Sequence, residues 1–199
     1  MYTRVVTFTE AKNIDEGLDY FRKEVVPLLD AQHGYRGAIS SADRSSGVLS
    51  VVSFWDSEAD RSASESALAK ARQDAQQIVS GEVRVENFEQ VVEVTSKAPA
   101  PGMALYITRV SMNPASVDDN LEFFKSTVLP VIRSQPGFCA LRNMIDRSTG
   151  RGATGTVFEN RQALDAFDAS QAERRAPAEG RGVNFDATFA RELLFVDLK

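Results

Sequence analysis

Residues 14–60 align with residues 117–163 without a gap. Eleven of the forty-seven pairs are identical, against about three expected from ordinary composition. The identities begin with Asp15/Asp118, Leu18/Leu121, Phe21/Phe124, Val25/Val128, Pro27/Pro130, Gln32/Gln135 and Gly34/Gly137. They resume across a turn, where Asp43, Arg44, Ser45 and Gly47 match Asp146, Arg147, Ser148 and Gly150. Upstream, Thr-Arg-Val at 3–5 matches Thr-Arg-Val at 108–110, the difference in spacing being assigned to the following loop. Two copies are too few for a solenoid, which needs several repeats to enclose a core. They indicate a duplicated domain, residues 1–95 and 103–199, joined by the proline-containing linker 96–102.

Each copy has the same order of elements. A β-branched and aromatic run opens it, "YTRVVTF" or "ALYITRVSM". Ile14, Leu18, Phe21 and Val25 then follow helical spacing over 14–32, as do their counterparts over 117–135. Asn13 and Ser116 are the expected N-caps, and Pro27 and Pro130 are expected to bend the helix. Gly34 and Gly137 end it. Strands at 35–42 and 48–55 flank the Asp-Arg-Ser turn, with equivalents in the second copy. A second helix is expected over 57–79 and, more briefly, over 160–175, where it gives way to "APAEGRG". Last strands are expected at 83–94 and 188–198.

The order β-α-β-β-α-β, written twice, is the ferredoxin-like plan: an antiparallel sheet with both helices on one face. "VLSVVSFW" is apolar on both alternating faces, so the helix-free face also needs cover. The other copy's sheet is the expected cover. The fold class is therefore α+β, two ferredoxin-like repeats forming an intramolecular α+β barrel, a pseudo-dimer within one chain.

These features resemble the dimeric α+β barrel superfamily, and within it the antibiotic-biosynthesis-monooxygenase-like domains. The resemblance rests on the run "GVLSVVSFWDSEAD", on the proline-containing first helix ending in "GY" or "PGF", and on the element order. It spans both copies. It implies a pocket between sheet and helices, and activities ranging from cofactor-free oxidation of quinol-type aromatics through haem degradation to ligand binding without catalysis. Haem degradation in these relatives uses a histidine on the second helix, an aromatic at the end of the third strand and an amide on the first strand. Trp55 and Phe158 match the aromatic. The second helices contain no histidine, and the amide position falls on Arg4 and Arg109. The residues therefore argue against haem.

Arg4 and Arg109 lie on first strands expected to be covered on both faces, so each needs an acidic partner or an anionic ligand. The structural alternative is a pair with Glu89, Glu93 or Asp197. His33, at the end of the first helix, is accounted for by the helix dipole. Trp55 and Phe158 fit a core as readily as a ligand wall. The strand after the turn carries the main asymmetry: Leu49, Val51 and Val52 become Gly152, Thr154 and Gly155. Such lost volume marks a close approach or a pocket. The pocket would be lined by Arg109, Asn143, Thr154, Thr156 and Phe158, with Arg4 and Trp55 as the first copy's candidates.

The net charge of −5 and the lack of a basic cluster argue against nucleic acid. The densest basic stretch, Arg174, Arg175 and Arg181, is interrupted by Glu173 and Glu179 and reads as a solvated loop. One cysteine and one histidine cannot assemble a metal site or an internal disulfide. No cofactor motif is present. No leader or membrane span is visible, so a cytoplasmic setting is the expectation. The partner expected is a small hydrophobic or aromatic molecule. Three readings stay open: a ligand-binding barrel, with or without catalysis; a cofactor-independent monooxygenase acting on an electron-rich aromatic; and a structural interaction module, which predicts no pocket in either copy. Further association of the fused chains is also open.

Overall fold

The computed structural model describes residues 1–199, with the side chain of Arg174 excepted. Two compact units are formed, Met1–Phe88 with Glu192–Lys199, and Glu89–Arg191. The repeats are units of sequence. Each compact unit takes its closing strand segment from the other repeat.

In the first unit β1 (Tyr2–Thr9) pairs antiparallel with β3 (Val48–Trp55), and β3 with β2 (Tyr35–Asp43). The outer edge of β2 pairs with the end of β8 (Asn184–Leu198), Ala38 facing Asp197. In the second unit β5 (Ala104–Ser111) pairs with β7 (Arg151–Phe158), and β7 with β6 (Phe138–Asp146). The outer edge of β6 takes the end of β4 (Glu82–Thr95), Val92 facing Asn143. Both middle hairpins carry a bulge at the same place, between Tyr35 and Gly37 and between Phe138 and Ala140.

The first helix of each unit solves its proline problem in the same way. In the first unit α1 (Ile14–Tyr20) runs through a π-helical turn, Phe21–Val25, into α2 (Val26–Asp30). In the second, a 3₁₀ turn at Pro114–Ser116 leads into α5 (Val117–Phe123), a π-helical turn at Phe124–Val128, and α6 (Leu129–Arg133). Pro27 and Pro130 lack the N–H that an α-helix needs and crowd the carbonyl one turn back. Shifting to i→i+5 spacing just before the proline, as in Val26 N–H to Phe21 O and Leu129 N–H to Phe124 O, relieves both faults without breaking the helix. Asn13 and Ser116 occupy the cap positions, but their side chains bond elsewhere, Asn13 Nδ2 to Ile78 O and Ser116 Oγ to Asn113 O.

The repeated turn residues have one job in both units. Asp43 Oδ1 accepts from Ser45 N at 2.9 Å, as Asp146 Oδ1 does from Ser148 N. Arg44 then reaches Asp15 on the helix at 2.7 Å, and Arg147 reaches Asp118 at 2.6 Å. Four of the eleven identities, Asp15, Asp43, Arg44 and Ser45, are thus a hairpin clasped to its helix.

The second helices depart from the spans expected. The first is divided at Ser64 into α3 (Glu58–Ala63) and α4 (Glu65–Val79). The other is α7 (Arg161–Ala169) followed by α8 (Gln171–Glu179), which continues through Pro177 where the sequence reads as loop. Ala178 and Val183 are buried there, and that tertiary burial outweighs the low helix propensity of the segment. The first unit's core gathers Phe8, Leu18, Leu49 and Val79 in one cluster and Phe21, Tyr35 and Trp55 in another. The second unit's core has a large cluster around Leu141, Phe158, Leu164 and Phe167 and a smaller one of Val117, Leu121 and Ile145.

Candidate functional site

A cavity of about 110 Å³ lies in the second unit between sheet and helices. Strand alternation puts Tyr106, Thr108 and Val110 of β5, Asn143 and Ile145 of β6, and Thr154 and Thr156 of β7 on its floor. Its roof comes from Phe124 and Val128 of the π-helical turn, Phe167 of α7, and Gln171 and Arg175 of α8. The lining is mainly apolar with polar groups at defined points, as a small-molecule pocket requires. The volume is of the order that holds a single aromatic ring.

Three polar groupings face it. Tyr106 Oη lies 2.5 Å from Asp168 Oδ1, to which it donates, and 2.8 Å from the Gln171 side-chain oxygen. Burial first, and then the Asp168 bond, raise the Tyr106 phenol above its ordinary pKa, so it stays protonated at neutral pH. Asn143 Nδ2 donates to Thr154 Oγ1 at 2.7 Å, deep in the floor. Arg175 stacks over Phe185, its guanidinium carbon 4.7 Å from the ring centroid. Its Nη2 is enclosed and meets no hydrogen-bond partner among the described residues.

The first unit holds a smaller cavity, about 70 Å³, in the equivalent place. Strand register identifies the counterparts. Arg4 faces Ser53 across the ladder and Tyr106 faces Thr156, while Ser53 and Thr156 occupy the same repeat position. Tyr106, not Arg109, therefore stands where Arg4 stands. The matching Thr-Arg-Val triplets are out of register by three residues, and an odd slip puts a side chain on the opposite face. At the equivalent helix positions, Glu65 and Arg72 of α4 stand where Asp168 and Arg175 stand in α7 and α8.

The two constellations differ in charge. Arg4 is 5% exposed; its Nη2 donates to Arg61 O at 2.6 Å, its Nη1 to Ser64 Oγ at 3.0 Å, and Nη2 lies 3.1 Å from Glu65 Oε2. Arg72 closes on the other Glu65 oxygen. Desolvation is the largest influence on Arg4 and lowers its pKa against the pull of Glu65. The partner expected on the last strands is thus supplied by the second helix instead. Glu65 reaches Arg4 there because both project toward the same gap between sheet and helix.

The predicted residues divide accordingly. Asn143, Thr154 and Thr156 line the second unit's cavity, and Arg4 lines the first unit's. Arg109, half-buried, lies outside both linings because it projects from the other sheet face. Phe158 and Trp55 are fully buried in the cores rather than on a cavity wall. Trp55 Nε1 donates to Ser53 Oγ at 3.0 Å, and Phe158 packs against Phe167 at 4.9 Å. Of the two strand glycines, Gly152 is on the cavity side, where a Cβ would meet Ile145 and the Met144 carbonyl at 2.9 Å. Gly155 faces the other way, toward Leu105.

Arg175 lines the cavity from a helix, not a solvated loop, and Arg181 donates to Asn120 Oδ1 at 3.3 Å over the Phe123 ring. The side chain of Arg174 lies outside what the structure describes. Tyr106, Asp168, Gln171 and Arg175 escaped the sequence reading. The register of the first strands finds Tyr106, and continuing the repeat spacing into the second helices sets Asp168, Gln171 and Arg175 opposite Glu65, Leu68 and Arg72. His33 is a surface residue whose Nδ1 lies 2.6 Å from Asp60 Oδ1, a bond that raises its pKa. Among the described residues no cluster of His, Cys, Asp and Glu is arranged to hold a metal. Among the described residues no helix is long and apolar enough to cross a membrane.

The chain matches no family model. Two uncharacterised proteins of Mycobacterium tuberculosis strain H37Rv are similar in sequence. One is 29% identical over 175 residues, covering 87% of this chain and 75% of the relative; the other is 27% identical over 182 residues, 91% and 75%. Solved structures with the same architecture include a candidate monooxygenase of Fusobacterium nucleatum, at TM-score 0.72 and 13% identity over 100% of this chain and 94% of that one. An anthrone oxidase-like protein aligns at TM-score 0.69 and 16% identity, over 99% and 93%. A Listeria monocytogenes ferredoxin-fold protein related to antibiotic biosynthesis monooxygenases aligns at 0.55 and 9% identity, over 96% and 93%. At these identities the likeness is one of architecture: the chain has the α+β fold of the monooxygenase-like dimeric α+β barrel proteins.

Proposed function

We propose that the second unit's cavity binds a small, mainly aromatic molecule bearing an oxygen group that is acidic or anionic. The observation that carries this reading is Arg175 Nη2, enclosed and unpartnered at the wall of an apolar cavity. A buried guanidinium nitrogen without an acceptor is costly, and an anionic ligand oxygen would supply the missing bond. Tyr106, held by Asp168, and the Asn143–Thr154 pair would orient the rest of the ligand.

The same nitrogen favours a second reading, the cofactor-independent oxidation of an electron-rich aromatic. It would stabilise the enolate or phenolate that reacts with oxygen, the substrate supplying the electrons. The fold shared with an anthrone oxidase-like protein supports this reading. Asp168 is bonded behind Tyr106 rather than lining the cavity, so the substrate's own acidity would govern its ionisation.

The test is calorimetric titration with the single-ring ligands phenol, catechol and hydroquinone, repeated on Arg175→Met and Thr154→Phe, with oxygen uptake followed in parallel. Binding that weakens about tenfold in Arg175→Met and vanishes in Thr154→Phe is the expected outcome. Binding equal in all three proteins refutes the site. Oxygen uptake with any of these ligands selects the second reading.

A further inference from the structure

The first unit's cavity carries different chemistry from the second's. Its walls are apolar, from Val6, Phe8, Leu49, Val51 and Val79, and one end is closed by Arg4 and Arg72. Both guanidinium groups converge on one carboxylate, Glu65, whose side chain is 46% exposed. Two cations therefore share one anion, and that anion is half in water. Arg4 is more than nine-tenths buried, lines the cavity, and its Nε meets no hydrogen-bond partner among the described residues. The lining itself contains no acidic residue, Glu65 reaching the two guanidinium groups from outside it. A buried arginine left one bond short beside an excess positive charge presents the planar donor pattern that a carboxylate satisfies.

We propose that the first unit's cavity is a second ligand site, selective for a small apolar carboxylic acid whose carboxylate sits between Arg4 and Arg72 in competition with Glu65. The second unit replaces Arg4 with Tyr106 and so lacks the paired cations. The tandem would then present two sites of different ligand class. This site stands on its own lining, and its presence does not depend on what the second unit binds.

The protein's single tryptophan reports on it. Trp55 Nε1 bonds Ser53 Oγ, Ser53 lines the cavity, and the Trp55 ring lies 6.0 Å from the Arg4 guanidinium carbon. The experiment follows the Trp55 indole resonance of the full chain during titration with hexanoate, with 1-hexanol as its uncharged counterpart. Hexanoate is expected to shift the resonance saturably, and 1-hexanol to bind at least about tenfold more weakly. Glu65→Gln, which removes the internal competitor, is expected to tighten hexanoate about tenfold. Arg72→Gln is expected to weaken it by a similar factor, and Ala75→Phe, which fills the cavity, to abolish it. No shift in either the wild-type protein or Glu65→Gln overturns the proposal. So does equal binding of hexanoate and 1-hexanol, or hexanoate binding that survives Ala75→Phe but not the second-unit change Thr154→Phe.

Discussion

The Tyr106–Asp168 bond can be weighed by removing each partner alone and then both. Tyr106 is 3% exposed and its hydroxyl lies 2.5 Å from the carboxylate. A hydrogen bond to a charged group contributes about 1.5–3 kcal/mol. Asp168 is half-buried and is partly rehydrated when the phenol is gone, which places this bond at the lower end. Tyr106→Phe keeps the ring and its edge-on contact with Phe167 at 5.3 Å, so the loss should be the hydroxyl's alone, about 1.5 kcal/mol. For a chain of this size that lowers Tm by roughly 3–6 °C. Asp168→Ala should cost a similar amount. The double variant should cost about 1.5 kcal/mol less than the sum, measured by urea denaturation. The phenol titration, followed by its ultraviolet difference spectrum against Tyr106→Phe, should also move down in Asp168→Ala. Single costs that add to within about 0.3 kcal/mol, with an unmoved phenol, would refute the bond and its role in orienting the cavity floor.

The glycines separate backbone strain from collision. Gly150 has φ +69° and a Cβ there would lie 2.0 Å from the Met112 carbonyl oxygen, so Gly150→Ala should cost more than about 3 kcal/mol. Gly102, at φ +87° with open space around it, should cost only the left-handed penalty, about 1 kcal/mol. Equal losses in denaturation would remove the argument from collision. The His33 titration, read by NMR, should have a midpoint above the ordinary value and return to it in Asp60→Asn. Because the folded pKa is raised, the pair's stabilising contribution is present below the unfolded pKa and fades as pH rises through the folded one.

The architecture was legible because the repeat and the alternation of apolar residues are local properties of the chain. The clasp from Arg44 to Asp15, and from Arg147 to Asp118, even explains why those positions stayed identical. The site was less legible, for three physical reasons. The Thr-Arg-Val match drew Arg4 and Arg109 together, whereas ladder register pairs Arg4 with Tyr106. Only the hydrogen-bonded partner across the sheet reveals the slip. Gly152 and Gly155 look alike in sequence but face opposite ways. Arg175 sits in a segment of loop composition that becomes helix because Ala178 and Val183 are buried, a long-range gain no local propensity records.

The exchange of closing strands also governs how the protein can be made. The first unit holds β1, β2 and β3 early in the chain, but its sheet is completed by residues 192–198. During synthesis the edge at Ile39, Ser40 and Ser41 must therefore wait, open and able to pair with any passing extended segment, while the whole second repeat emerges from the ribosome. Nascent chains stalled before position 192 carry that exposed edge with them, and crowding of such chains on one messenger is where misassembly between neighbouring copies would begin.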